Sequence, residues 1–127
     1  FIIQAINNKP ITIYGDGSQT RSFCYIDDAV IGTVLAMENK NSNGQIYHIG
    51  TEDEITIEKL IKKCGRFFNY KGAYINAPTY PGSTNRRCPD ITKAKTIIGY
   101  NPKIDVHEGV KRSLIWYSEN YKERHEE

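Results

Sequence analysis

The stretch "TIYGDGSQTRSFCYIDD", residues 12–28, decides how the chain is read. Thr12 to Tyr14 has the composition of a strand, Asp16-Gly17 that of a tight turn, and Arg21 to Ile26 that of a second strand, so a β-hairpin is expected. Strand alternation then sets Gln19, Arg21, Phe23 and Tyr25 on one face, with Thr20, Ser22, Cys24 and Ile26 on the other. Gly15-x-Gly17-x-x-Thr20 comes near the dinucleotide fingerprint GxGxxG. That motif requires a helix directly after its glycines, and "RSFCY" continues as a strand, so the glycines are assigned to the turn.

Outward from this stretch, "FIIQAI" reads as the last turns of a helix already under way, and a first residue other than Met leads us to expect a piece of a longer protein. Asp27-Asp28 is placed as the cap of a helix whose apolar positions Val30, Val34 and Met37, flanked by Ile31 and Leu35, follow a 3.6-residue period. After the polar loop "NKNSNG", "QIYHIG" is expected to be a strand ending at Gly50. Glu52-Asp53-Glu54 reads as loop charge. Thr56 caps a second helix with Ile57, Leu60, Ile61, Cys64 and Phe68 on one face. "AYINA" is a further strand, and Pro78 to Pro89 a long irregular loop of the kind that often carries function. Thr92 is placed as the cap of a short helix ending at Gly99, and Asp105, three residues ahead of Glu108, as the cap of a last helix burying Val110, Leu114, Tyr117 and Tyr121. The tail "KERHEE" should fray. Strands and helices intermix, so the fold class is α/β, a mixed α+β arrangement in a single region over residues 1–127.

Composition narrows the function. With 17 basic and 15 acidic residues scattered along the chain, net charge +2, no nucleic-acid or membrane footprint is expected. Any anion must therefore be met by particular side chains. Three widely spaced cysteines without a CxxC pair suggest neither a disulfide framework nor a metal site, and read as reduced thiols of a cytoplasmic protein. Arg21 beside an amide and aromatic residues is either a solvated strand charge or a reader of phosphate or carboxylate, since a guanidinium donates two parallel hydrogen bonds. Arg86 and Arg87, at the end of the long loop, could meet the same anion from a second direction.

Three blocks, "PITIYGDGSQTRSFCYIDDAVIG" (10–32), "YHIGTEDEITI" (47–57) and "RRCPDITKAKTIIGYNPKIDVHEGVKRSLIWY" (86–117), resemble the C-terminal portion of NAD-dependent nucleotide-sugar epimerases, dehydratases and decarboxylases, the extended short-chain dehydrogenase/reductases. UDP-glucuronate decarboxylases are the nearest in pattern, then dTDP-glucose 4,6-dehydratases. The resemblance implies a substrate-binding part of an enzyme working through a 4-keto sugar. Its partner would be a nucleotide-diphosphate sugar, a UDP-sugar first among them. Tyr14 would lie near the base, Gln19 near the nucleotide and Arg21 on the diphosphate. Arg87, or Arg86 in its place, would give the second diphosphate contact, and Asp90 would order that loop. His48 stands where the family commonly has Asn, and Ser83-Thr84-Asn85 where the decarboxylases usually carry acidic residues.

The family's glycine-rich NAD loop and Tyr-x-x-x-Lys pair lie N-terminal to this region. Here Tyr117 is followed four positions later by Tyr121, Tyr121 by His125 and Tyr70 by Tyr74. No catalytic residue is therefore assigned to the chain, which alone is expected neither to hold NAD nor to turn over. A homodimer is implied for the whole enzyme, and self-association through exposed apolar surface for this part. The alternative of another class is a non-catalytic α/β module binding a nucleotide or a protein.

Overall fold

The computed structural model describes residues 1–121; the tail "KERHEE" lies outside them. The fold is mixed α/β, with the elements α1 (Ile2–Ile6), β1 (Ile11–Tyr14), β2 (Thr20–Ser22), α2 (Ile26–Glu38), a 3₁₀ turn (Lys40–Ser42), β3 (Glu54–Thr56), α3 (Ile57–Phe67), β4 (Tyr74–Ala77), β5 (Arg86–Arg87), α4 (Thr92–Ile98) and α5 (Val106–Asn120). None of these helices is long and apolar enough to cross a membrane.

The expected hairpin is absent. β1 runs parallel to β4, with Ile11 opposite Tyr74 and Tyr14 opposite Ala77. β2 belongs to a different sheet of order β3-β2-β5, antiparallel to β3 and parallel to β5. The reason lies in the turn. A two-residue hairpin turn of the Asn-Gly or Asp-Gly type needs positive φ at two consecutive residues, whereas here Gly15 (φ 86°) and Gly17 (φ 83°) are separated by Asp16. Asp16 accepts the Ser18 N–H at 2.9 Å, and the segment becomes a corner that carries the chain from one sheet to the other.

The core gathers around α3. Thr56 caps it as expected, its Oγ1 accepting the Lys59 N–H. Leu60 and Cys64 pack with Ile55, Val106 and Leu114, while Ile61 packs with Ala5, Ile11 and Ile13. A third cluster, Ile91, Ala94, Ile98 and Tyr100, joins α4 to Leu35 and Ala36 of α2 and to Tyr47 and Ile49. α5 starts at Asp105, whose Oδ1 accepts the Glu108 N–H, and α4 ends at the left-handed Gly99, both as expected. The α4 start differs: Thr92 lies inside the helix and its N–H is accepted by Asp90 Oδ1 at 2.8 Å.

Three further expectations are corrected. "QIYHIG" is not a strand: Tyr47 and Ile49 turn inward and Ile46 and His48 outward in extended fashion, but none of the described strands pairs with it. Glu52-Asp53-Glu54 is more than loop charge, since Glu52 pairs with Lys95 (2.6 Å), Asp53 Oδ2 accepts the Val106 N–H (2.9 Å) and Glu54 opens β3. Asp28 is not a cap. Tyr25 holds that position, and the Asp28 carboxylate, 2% exposed, accepts the backbone N–H groups of Lys103 and Ile104.

α2 also turns differently from its periodicity. Its buried positions are Asp28 and Gly32, while Ile26, Val30, Ile31, Val34 and Met37 are exposed, Met37 by 77%. Gly32 lets the helix approach the third cluster: a Cβ there would stand 2.6 Å from Ile49 Cγ2 and 2.8 Å from Tyr100 Cε2. Gly32→Ala should therefore cost about 1–3 kcal/mol as an overpacking change, read from denaturant unfolding. The outward stripe is a contiguous apolar face of a kind that drives association. Sedimentation velocity is expected to show self-association of the chain, and Val30→Glu with Met37→Glu to reduce it.

Candidate functional site

The corner after β1 gathers the first site residues. Tyr14 ends β1 half-exposed and its ring meets that of Tyr80, 4.9 Å between centroids at 33°. Gln19 Nε2 donates to Tyr14 O at 2.6 Å, and Asn76 Nδ2 donates to Gly15 O at 2.7 Å, so two amides hold the corner from either side. Gly15 is required there: besides its positive φ, a Cβ would stand 2.9 Å from Thr79 Cγ2.

β2 and β5 supply the cations. Thr20 lies opposite Arg86, and Arg21 opposite Arg87. Arg21 is half-buried, donating from Nη1 to Thr20 O (2.7 Å) and from Nη2 to Thr84 O (2.9 Å). Arg86 is occupied. Its Nε and Nη2 donate to Glu54 Oε1 at 3.0 and 2.6 Å, and Thr20 Oγ1 donates to Glu54 Oε2 at 2.7 Å. Arg21 and Arg87 make no ion pair among the described residues. Alternation along β5 sends Arg86 to the Glu54 side and Arg87 to the other. Two arginines without an ion pair among the described residues thus stand at one rung of the β2–β5 ladder, and the third is neutralised.

The family resemblance puts Arg87 ahead of Arg86, and the structure shows Arg86 taken up by Glu54. Arg86 first, and the Thr20 hydroxyl next, hold the Glu54 carboxyl below the usual glutamate range. The folded value lies below the unfolded one, so the contribution of this clamp is complete above the ordinary glutamate range and is lost as the pH falls through the folded value. Following the Arg86 Nε–H resonance on acidification should show the clamp intact at mildly acidic pH and released only below the ordinary range.

His48 and Asp90 meet at the far end of the same loop, His48 Nδ1 lying 3.2 Å from Asp90 O. Hydrogen bonds from Thr92, with a smaller contribution from the His48 charge, lower the Asp90 carboxyl below its usual value. Phe23 and Tyr25, expected on the Arg21 face, lie beyond β2. They line an apolar cavity of about 400 Å³ between α1 and α5. Tyr80 is the candidate residue that sequence reasoning passed over. Its place in an irregular loop hid it, and only the parallel β1–β4 pairing brings that loop to Tyr14.

Comparison with known proteins follows this geometry. A model of the NAD dependent epimerase/dehydratase family matches residues 1–50. The chain is 34% identical over 125 residues to UDP-N-acetyl-alpha-D-glucosaminuronate decarboxylase of Bacillus cytotoxicus, covering 94% of this chain and 39% of that protein. It is 36% identical over 114 residues to UDP-glucuronic acid decarboxylase 1 of Arabidopsis thaliana, covering 90% and 26%. In structure it matches UDP-glucuronic acid 4-epimerase from Bacillus cereus, solved with UDP-glucuronic acid and NAD, with TM-score 0.85 and 32% identity over 94% of this chain and 38% of that one. The chain belongs to the NAD-dependent epimerase/dehydratase family.

Among epimerase/dehydratase family members with decarboxylase and epimerase names, this chain spans between about a quarter and two-fifths of their length. A dinucleotide does not fit the glycine pair it offers. Gly15 and Gly17 lead into β2 rather than into a helix N-terminus, and the Gly17 carbonyl is already bonded to Glu58 N–H at 2.9 Å.

Proposed function

We propose that residues 1–127 act as the nucleotide-diphosphate-sugar binding part of an NAD-dependent sugar-nucleotide enzyme, with a UDP-sugar as ligand. The observation that carries this reading is the Arg21–Arg87 pair, two arginines opposite each other in the β2–β5 register and without ion pairs among the described residues. A diphosphate diester carries about two negative charges, and arginine meets such oxygens through paired charge-assisted hydrogen bonds. The Tyr14–Tyr80 shelf lies on the same corner and loop and offers an aromatic surface to a base. Gln19 keeps its carbonyl oxygen for the nucleotide while its amide holds the corner, and Asp90 and His48 order the end of the loop.

Decarboxylation of a UDP-uronic acid by way of a 4-keto sugar is the reaction the relatives' names favour, with 4-epimerisation or dehydration of a related nucleotide sugar as alternatives. NAD would supply the hydride chemistry from a part of the enzyme other than these residues. The working enzyme is proposed to be a cytoplasmic homodimer, and this chain alone should give no product from UDP-glucuronate and NAD. Saturation-transfer NMR with UDP-glucuronate tests the binding reading. We expect the strongest transfer to the uracil protons, from the tyrosine shelf; the absence of transfer from a folded chain to the ligand would contradict it.

A further inference from the structure

The loop from Pro78 to Asn85 reaches β5, a strand of only two residues, both exposed. Such a short parallel strand has too few ladder hydrogen bonds to fix its own register. Backbone bonds at its approach are the Gly15 N–H to Ala77 O (2.8 Å) and the Thr20 N–H to Asn85 O (2.9 Å). Arg21 Nη2 adds a bond to Thr84 O (2.9 Å), and a further tie comes from a side chain on a strand that does not touch β5. Glu54 sits on β3, across β2 in the order β3-β2-β5. Its two oxygens receive Arg86 Nε (3.0 and 3.1 Å), Arg86 Nη2 (2.6 Å) and Thr20 Oγ1 (2.7 Å). One carboxylate, its side chain 23% exposed, thus joins all three strands.

We infer that Glu54 is a positioning residue that selects which of two adjacent arginines faces the ligand. By engaging Arg86 it fixes the phase of β5, and alternation then turns Arg87 to the side of Arg21. A slip of one residue would exchange the two arginines between faces, as a one-residue register change does in any strand. Glu54 spends both oxygens on Arg86 and Thr20. The inference rests on the reading of Arg21 and Arg87 as the diphosphate pair.

The test uses the whole chain, calorimetric titration with UDP, and amide hydrogen exchange at Thr20, whose N–H reports the β2–β5 contact directly. Glu54→Gln keeps the side-chain shape and removes the charge. It is expected to weaken UDP binding roughly tenfold, the scale of one lost charge-assisted contact, and to speed exchange at Thr20 while leaving the Lys59 amide of α3 unchanged. The reversed pair, Glu54→Arg with Arg86→Glu, should restore both readouts. Arg87→Ala is run alongside. If Arg87→Ala loses affinity while Glu54→Gln keeps it, the positioning role is overturned and the diphosphate reading stands. If Arg87→Ala has no effect, the diphosphate reading falls, and Thr20 exchange alone decides the clamp. Unchanged exchange in Glu54→Gln would overturn it, and faster exchange restored by the reversed pair would support it.

Discussion

Arg87→Ala is expected to weaken UDP binding by about 1.5–3 kcal/mol, and Arg21→Ala by a similar amount, the range for hydrogen bonds to charged groups. Both side chains stand at one rung of the β2–β5 ladder. The double variant should therefore lose less than the sum, because neighbouring groups that share one ligand couple. Arg21 has a second task, since its Nη2 holds Thr84 O. Arg21→Lys keeps the charge but not the fork, and should bind UDP more weakly than the parent chain while exceeding Arg21→Ala. Calorimetry at two salt concentrations checks the assignment: the contribution of each arginine should fall as salt rises. Affinity indifferent to both substitutions would mean that these guanidiniums are solvated strand charges.

Asp28→Ala should be the most damaging single change to stability. The carboxylate is buried, and it satisfies the N–H groups of Lys103 and Ile104 at 2.8–3.0 Å. Alanine would leave two donors without partners in the segment between α4 and α5, and each unsatisfied buried donor costs about 1–3 kcal/mol. The expected loss is about 2–4 kcal/mol in denaturant unfolding. Asp28→Asn, which keeps one acceptor oxygen, should lose less. A loss within about 0.5 kcal/mol for Asp28→Ala, typical of a surface position, would show that the 103–104 segment is held by other contacts.

What the sequence disclosed follows from how far apart the interacting residues are. Thr56, Asp105 and Gly99 act within one helical turn of themselves, and each sits where its own chemistry places it. The α3 face was legible for the same reason, since its period is written in consecutive residues. The hairpin was misread because a turn signal is local but pairing is not: β1 finds its partner 63 residues later, at Tyr74, and β2 finds partners at Glu54–Thr56 and Arg86–Arg87. α2 carried an apolar period that its burial does not follow, because Gly32 and Asp28, not Val30 or Met37, meet the rest of the chain. The candidate site was half legible. Residue types and the family resemblance pointed to Tyr14, Gln19, Arg21 and the arginine pair. The resemblance preferred Arg87 to Arg86, but the pairing of Arg86 with Glu54 was not legible, because Glu54 stands in an acidic run with nothing local to distinguish it from its neighbours. Tyr80 needed the β1–β4 pairing that the hairpin reading excluded.

The central claim, a diphosphate site built on β2 and β5, is tested most directly by calorimetric titration of the chain with UDP, dTDP, GDP and uridine in low-phosphate buffer. The account predicts measurable binding of a nucleoside diphosphate, UDP foremost, and none of uridine at the same concentration. Equal affinity for UDP and uridine, or no binding of any diphosphate by a folded chain, would contradict it.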